Sequence, residues 1–315
     1  MLKYLFWRLS GLLLTLLGLS FVSFCLIELV PGDPVITMLG EAAAWQDVER
    51  LRIELGLNKP FLVRYYNWIT NAVVHGDLGY SLLMNQPITE LFKTRIPRTA
   101  WLALLSFLLT IFIGIPSGIL AALYAGGLID RLVMTVSTVF LATPIFLVAL
   151  FLMWIFAVQL RWFPVAGYIA PTSHFIEGIK SLCLPALSIS TMYIAYIARM
   201  TRAAILETLT QDFVVAAQAK GVTRARLVFL HIMKPSLVPI LTAGGLVLAE
   251  LLGGTIVSET IFVIPGIGRL TFDAAVKKDV FVLQAMLLFM GSIYYVINVI
   301  VDICLAVIDP RIRII

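Results

Sequence analysis

A polar, basic segment between two long apolar stretches is the part of this sequence best suited to contact another protein. This segment, called here the basic loop, is Asp212–Pro235 and reads DFVVAAQAKGVTRARLVFLHIMKP. Its cations, with two more just upstream, are Lys220, Arg224, Arg226, Lys234, Arg199 and Arg202. Such a loop can be anchored at a membrane surface by its arginines or can be bound by a soluble partner. The residues alone leave both interpretations open.

Helix and turn signals divide the basic loop into two short helices joined at a glycine. Asp212 is a favourable N-cap, and Gly221 ends the first helix because a residue without Cβ adopts the required turn at little cost. Thr223 is predicted to cap the second helix, whose apolar side carries Leu227 and Val228. The first helix contains small residues that a groove of another protein can enclose closely, namely Ala216, Ala217 and Ala219.

The residue inventory does not support enzymatic chemistry. The sequence lacks the G-x-x-x-x-G-K-[ST] pattern with which a chain binds ATP phosphates. Its histidines and cysteines are widely separated, at His75, His174, His231, Cys25, Cys183 and Cys304. We therefore predict no catalytic residues, no metal site and no cofactor, so that any energy source must lie on another chain.

The composition places the chain among multi-pass membrane proteins. Of its 315 residues, 61% are hydrophobic and only 13% are charged, and the mean hydropathy is +1.00. A soluble domain needs far more polar surface than this. The net charge of +5 is mild, and the cations flank apolar stretches instead of forming a patch for nucleic acid.

Six apolar stretches are long enough to be membrane-spanning helices. They are predicted at Leu9–Val30, Thr99–Tyr124, Leu132–Leu160, Leu182–Ala198, Leu237–Val257 and Val280–Ile308. The predicted fold class is therefore an all-α membrane protein with six spans, a helical external insert after the first span and a cytosolic loop. The predicted regions are residues 1–30, 31–98, 99–308 (which includes the cytosolic loop 207–236) and a tail, 309–315.

One carboxylate, Glu250, lies well inside a predicted span, where a charge is costly unless it faces protein or water. Gly254 shares its helical face, and Gly245 and Ala249 form a neighbouring small-xxx-small face suited to close helix contact. Glu250, Gly254 and Asn298 are candidates for a polar path across the membrane. A buried pair at a subunit interface is an equally good interpretation of Glu250.

The distribution of Lys and Arg predicts that both termini are cytoplasmic. With the amino terminus inside, the inside segments carry 11 of these residues and the two short outside loops carry five. Residues 31–98 form a segment too long for this rule and are predicted to be external. Two amphipathic helices are predicted there: Asp47 is the N-cap of the first, Gly56 ends it, and Pro60 begins the second. We expect these helices to cap the outer mouth of the pore or to contact a binding protein.

Motifs along the whole chain resemble one family of transport proteins. In the basic loop, Val215-Ala216-Ala217, three residues, Gly221, nine residues and His231-Ile232-Met233 are similar to the EAA loop of binding-protein-dependent ABC importer permeases. Val215 replaces the first Glu of that pattern, and Lys234 replaces its closing Pro. Further motifs similar to the peptide and nickel branch are Pro31–Pro34, Leu55–Pro60, Gly76–Ser81, Phe163–Tyr168, Glu259–Phe262, Pro265–Gly268 and Asp309–Arg313.

The resemblance implies a permease subunit, the first of a pair, in a bacterial inner membrane. The implied partners are a second permease subunit, two ATP-binding subunits and an external solute-binding protein. The residues implied to contact the ATPase are Asp212, Val215, Ala216, Ala217, Gly221 and Arg224. Peptides, nickel and metal chelates all remain possible substrates.

Two other classes of membrane protein remain as alternatives. A secondary transporter driven by an ion gradient would use groups such as Glu250 and Asp302, and a structural scaffold would use neither. Co-purification distinguishes the three classes, because only an importer subunit should bring down ATPase subunits and a second permease.

Overall fold

The chain is helical almost throughout, which confirms the predicted all-α membrane fold. The structure, a computed structural model, describes residues 2–29, 34–39, 43–54, 56–81, 84–223, 226–253 and 255–308. Among these residues the strands are β1 (Tyr80–Ser81) and β2 (Gln86–Pro87), an antiparallel pair in which Tyr80 faces Pro87.

The first helices in chain order are α1 (Leu2–Leu29), α2 (Pro34–Leu39), α3 (Trp45–Glu54), α4 (Phe61–Thr70), α5 (Ile88–Leu123), α6 (Leu128–Ala142) and α7 (Ile145–Leu152). They are followed by α8 (Phe175–Leu209), α9 (Asp212–Ala219), α10 (Met233–Gly253), α11 (Ile256–Ile261), α12 (Ile267–Lys277) and α13 (Val280–Ile308). Short π-helical turns occupy Asn71–His75, Met153–Gln159 and Leu227–Ile232.

Four described segments are long and apolar enough to cross a membrane: Ile88–Leu123, Phe175–Leu209, Met233–Ile261 and Val280–Val307. A fifth span results if Leu128–Ala142 and Ile145–Gln159 cross together. In α1 the apolar part found within the described residues is the shorter stretch Leu13–Cys25. The count of six spans therefore stays a prediction.

The predicted third span, Leu132–Leu160, is not one continuous helix: it consists of most of α6, then α7 and the π-helical turn after it. Its two halves meet at an angle of 102°. Thr143 has extended backbone (φ −88°, ψ 123°), and Pro144 follows it before α7 begins. The proline ring disfavours helical geometry in the preceding residue and removes one backbone donor, so the helix breaks there.

The two helices predicted in residues 31–98 are present as α3 and α4. The carbonyl oxygen of Ala44 accepts hydrogen bonds from the backbone of Asp47 and Val48, at 3.0 and 3.2 Å. Asp47 therefore lies in the first turn of α3 and is not its N-cap as predicted. Gly56 follows α3 in the left-handed conformation (φ +67°), and Pro60 directly precedes α4.

The chain divides into two compact units, which are described separately. The first comprises residues 1–98 and 265–295. Its core joins the start of α5 to α12 and α13 through Ile88, Phe92, Leu270 and Met286. The buried Ser81 hydroxyl donates a hydrogen bond of 2.7 Å to Asp279, the residue before α13, and so fixes β1 to that helix.

The second unit comprises residues 99–264 and 296–315 and is built around α8. This helix packs against α6, α7 and α10, and Leu182 and Ile197 are among its fully buried side chains. Pro185 lies inside α8 without ending it. Gly114 and Gly118 bring α5 close to the same helix, since their nearest neighbours are atoms of α8.

Candidate functional site

The basic loop begins with α9, which follows α8 after only two residues. The Gln211 carbonyl oxygen accepts hydrogen bonds from Val214 (2.9 Å) and Val215 (3.4 Å). Gln211 is therefore the cap, and the prediction of Asp212 as N-cap is wrong by one residue. Asp212 lies in the first turn, where its negative charge still favours the helix dipole.

The two faces of α9 have different environments. Val214 is 0% exposed and Ala217 is buried, and both belong to an apolar cluster with Ala122, Ile205 and Ile232. The remaining surface carries exposed residues, namely Phe213, Val215, Ala216 and Ala219, and the exposed Lys220 follows the helix. An exposed apolar surface on a helix end is typical of a contact with another protein. Among the predicted contact residues, Val215 and Ala216 are therefore available to a partner and Ala217 is not.

Gly221 ends this helical segment as predicted. Its φ is +76°, a left-handed conformation that is strained for residues with a Cβ. The Val222 backbone then donates a hydrogen bond of 3.3 Å to the Ala217 carbonyl. Arg224 lies outside the described residues. The Thr223 carbonyl accepts a 2.8 Å hydrogen bond from Leu227, so the chain becomes helical again where predicted.

The base of the basic loop is closed by buried hydrogen bonds between α8 and α10. The hydroxyls of Thr208 and Ser236 are 2.9 Å apart, and Ser236 also donates to the Ala204 carbonyl oxygen at 3.2 Å. Both hydroxyl-bearing residues are buried. A displacement of α9 would therefore be passed directly to two membrane helices.

An ion pair between a buried carboxylate and a half-buried arginine fixes α6 to α8 near the same loop. Arg202 Nε donates to Asp130 Oδ1 at 2.6 Å, and its second nitrogen donates to Oδ2 at 2.7 Å. The Gly126 backbone adds a third hydrogen bond to this carboxylate at 2.8 Å. The Asp130 side chain is only 6% exposed. Three hydrogen bonds to a single carboxylate therefore connect the start of α6 to α8 and to the turn before α6.

Sequence reasoning missed this pair because its members are 72 residues apart. In the sequence, Arg202 stands out only as one of several cations next to the basic loop. The one feature that could have indicated a pair is Asp130 itself, an isolated acidic residue in the first turn of the apolar helix α6.

The candidates for a polar path are Glu250, Gly254 and Asn298, and the two that the structure describes differ in how far they are exposed. Glu250 is exposed on α10 in the isolated chain, beside the hydroxyl of Tyr193 from α8, which interacts with its carboxylate. Exposure in the isolated chain is compatible with both interpretations of Glu250, the polar path and the subunit interface. Its small-residue neighbour Gly245 does pack closely, against Val301 of α13. Asn298 is half-buried on α13, and Gly254 lies outside the described residues.

A second carboxylate, Glu259 on α11, is fully buried and was considered in the sequence only as part of a motif. Its Oε1 accepts hydrogen bonds from the hydroxyls of Thr99 (2.6 Å) and Thr255 (2.8 Å). This arrangement connects α11 to the first third of α5. Hydrogen bonding offsets the cost of burying such a group, so we interpret Glu259 as a structural residue.

Comparison with protein families accounts for nearly the whole chain. Residues 1–103 match the N-terminal component of binding-protein-dependent transport system membrane proteins. Residues 114–314 match the inner membrane component of binding-protein-dependent transport systems. The chain belongs to this family. As a binding-protein-dependent membrane component it is a transport subunit and not an enzyme.

Relatives of this transport component are similar over their full length. A putative peptide transport system permease from Brucella abortus is 38% identical over 306 residues, which are 97% of each chain. A dipeptide transport system permease from Alkalihalophilus pseudofirmus is 38% identical over 333 residues, covering 99% of this chain and 100% of that one. An inward-facing structure of the MetNI methionine ABC transporter shares the fold (TM-score 0.54, 18% identity, 70% and 96% coverage).

Proposed function

We propose that this chain is one of two permease subunits of an ATP-driven importer of peptides. The observation that carries this proposal is the full-length similarity to permeases named for peptide and dipeptide transport. Nickel and metal chelates are the other cargoes considered from the sequence motifs. The ligand captured by the cognate binding protein decides between these cargoes. A binding protein that retains nickel but no peptide would contradict the peptide assignment.

The proposed assembly contains this chain, a second permease subunit, two ATP-binding subunits and an external solute-binding protein in the bacterial inner membrane. Both termini and the basic loop face the cytoplasm in this assembly, which fits the excess of Lys and Arg in those segments. Family membership favours ATP over the ion gradient of a secondary transporter.

We further propose that α9 is the contact with an ATP-binding subunit. Its exposed apolar face would enter a groove of that subunit, while Val214 and Ala217 hold it to the membrane helices. Asp212 would place its negative charge in the first turn of α9, Gly221 would form the turn after the helix, and Arg224 would contact an acidic group of the ATP-binding subunit. The closed base of the loop would then transmit ATP-driven movement to α8 and α10 and change the access of the pore.

Val215→Asp is expected to weaken association with the ATP-binding subunits about 30-fold, because it places a charge in the proposed apolar contact. The measurement is the amount of ATPase that co-purifies, together with the melting temperature of the permease. Since Val215 is 57% exposed, the melting temperature should not change.

The adjacent residue provides the matched control for this experiment. Val214→Asp buries a charge in the internal cluster and should instead lower the melting temperature of the permease itself. Unchanged ATPase association and unchanged stimulation by the loaded binding protein in Val215→Asp would refute α9 as the contact.

Glu250 is proposed to line the translocation path with Gly254 and Asn298, at the surface that this chain presents to the second permease. Glu250→Gln should then preserve assembly and alter the transport rate or basal ATP hydrolysis several-fold, because a charge on the path favours one conformation. Tyr193→Phe, which removes the hydroxyl beside this carboxylate, should shift the same quantities in the same direction.

The competing interpretation, a polar pair at the subunit interface, predicts a different result for the same Glu250→Gln variant. Complex stability should fall while transport per assembled complex stays normal. Wild-type values for both stability and transport would exclude the path and the interface together.

A further inference from the structure

The helix α4 packs along α1 through a cluster of aromatic rings. Phe61 and Tyr65 of α4 contact Phe21 and Phe24 of α1, with ring centroids 5.3 to 6.0 Å apart. Trp68 adds a contact with Phe24 at 5.9 Å. The Tyr65 hydroxyl is also 2.8 Å from the hydroxyl of the buried Ser20. These contacts fix one face of α4 against the second half of α1.

The part of α1 that α4 contacts lies within an uncharged stretch. No charged residue occurs between Leu9 and Ile27, and Glu28 is the first charged residue after Arg8. At 1.5 Å per residue these residues span about 28 Å, close to the thickness of the hydrocarbon core. Ser20, Phe21 and Phe24 lie in the second half of this stretch, within the membrane but toward its carboxyl-end boundary. The helix α4, which is packed against them, therefore lies near that boundary.

A second face of α4 and the turn after it is apolar and exposed. Leu62, Tyr66 and Val73 recur at helical spacing and are 67, 68 and 75% exposed. The aromatic face of α4 is packed against α1, so this aliphatic stripe is left uncovered. On the other side of the helix, Asn67 and Asn71 form an exposed polar face.

We propose that the segment Phe61–His75 lies in the interface of the bilayer at the carboxyl end of α1. Its exposed stripe enters the boundary between headgroups and acyl chains, and its asparagine face remains in water. We infer that lipid covers this stripe because α1, in the same unit, also exposes apolar residues, namely Leu13, Leu14 and Val22. The exposed apolar surfaces of the two helices can then contact the same bilayer. A helix with one apolar and one polar face and aromatic residues at the boundary suits this position.

This inference depends on the membrane fold and is independent of the proposed cargo and of the contact with the ATPase. In the predicted orientation the lipid involved is the outer leaflet. The segment would thus anchor the external insert to the membrane surface, in place of covering the pore.

Fluorescent labelling of the full-length chain tests this assignment. Single cysteines are introduced as Tyr66→Cys, Val73→Cys, Asn67→Cys or Asn71→Cys after Cys25→Ser, Cys183→Ser and Cys304→Ser, and each is labelled with an environment-sensitive dye. The protein is reconstituted in phosphatidylcholine–phosphatidylglycerol nanodiscs. Doxyl groups on the lipid chains then quench dyes in the bilayer, and aqueous iodide quenches dyes in water.

We expect the dyes at positions 66 and 73 to be quenched by lipid-borne doxyl at least about threefold more than those at 67 and 71. Iodide should show the reverse order. Equal iodide quenching at all four positions, with no response to doxyl, would overturn the proposal. Protection of position 66 only after the binding protein is added, again without doxyl quenching, would overturn it in favour of protein docking.

Discussion

Replacing Gly118 with leucine is expected to prevent stable accumulation of the permease in the membrane. A Cβ atom at this position would lie 2.5 Å from the Ala198 carbonyl oxygen and 2.6 Å from Thr201 Cβ. The first of these neighbours is the backbone of α8, the central helix of its unit, and it cannot move aside as a flexible side chain can. The two helices would have to separate, which removes the contacts that small residues make possible in a membrane.

Two further variants measure the size of this effect. Gly118→Ala adds only the Cβ and should lower the free energy of unfolding by about 2 to 3 kcal/mol, as overpacking does in tightly packed cores. Gly18→Leu is the matched control, since a Cβ at Gly18 of α1 has no neighbour within 4 Å. The measurements are the yield of monodisperse detergent-solubilised protein and its melting temperature. Gly118→Leu protein that matches Gly18→Leu in both would contradict the close packing of α5 and α8.

The second large effect concerns the ion pair between Asp130 and Arg202. Asp130→Asn removes the buried carboxylate charge of a bidentate pair and leaves the half-buried Arg202 guanidinium without its counterion. Breaking such a pair should lower the free energy of unfolding by about 3 kcal/mol. Because Arg202 lies on α8 shortly before α9, we also expect weaker stimulation of ATP hydrolysis by the loaded binding protein. The melting temperature and the stimulated ATPase rate report these two effects.

The neighbouring cation supplies the control for Asp130→Asn. Arg131 is exposed, so Arg131→Gln should change stability by no more than about 0.5 kcal/mol. The double variant Asp130→Asn, Arg202→Gln should lose less than the sum of the two single variants, because both remove the same interaction. Strictly additive losses would show that the two residues do not act as a pair.

Patterns local in sequence predicted most of the helices and the form of the candidate site. Apolar stretches located the helices of the second unit, and Gly221 located the turn after α9 through its conformational freedom. Pro144 lies within the predicted third span, but the effect of a proline there depends on whether neighbouring helices tolerate the lost hydrogen bond, which the sequence does not specify. The 102° bend there was accordingly not anticipated.

What the sequence could not specify is which of several possible faces is packed. Ala217 and Val215 are equivalent as small or apolar residues in a short helix, yet one is buried and the other exposed. In α4 the aliphatic stripe and the aromatic stripe both have helical spacing, and the position of α1 determines which one is covered. Asp130 and Arg202 illustrate the same limit, since only the tertiary fold brings them together.

The hydrogen bonds that close the base of the basic loop have a mechanical consequence. Thr208 and Ser236 are 28 positions apart in sequence, and their hydrogen bond joins the two ends of the loop between them. A loop of this length without hydrogen bonds between its two ends could change shape when displaced, and neither membrane helix would then have to move. Here the two ends of the loop are hydrogen-bonded to each other, and α9 packs against the residues beside them. A small rotation of α9 would therefore move α8 and α10 together.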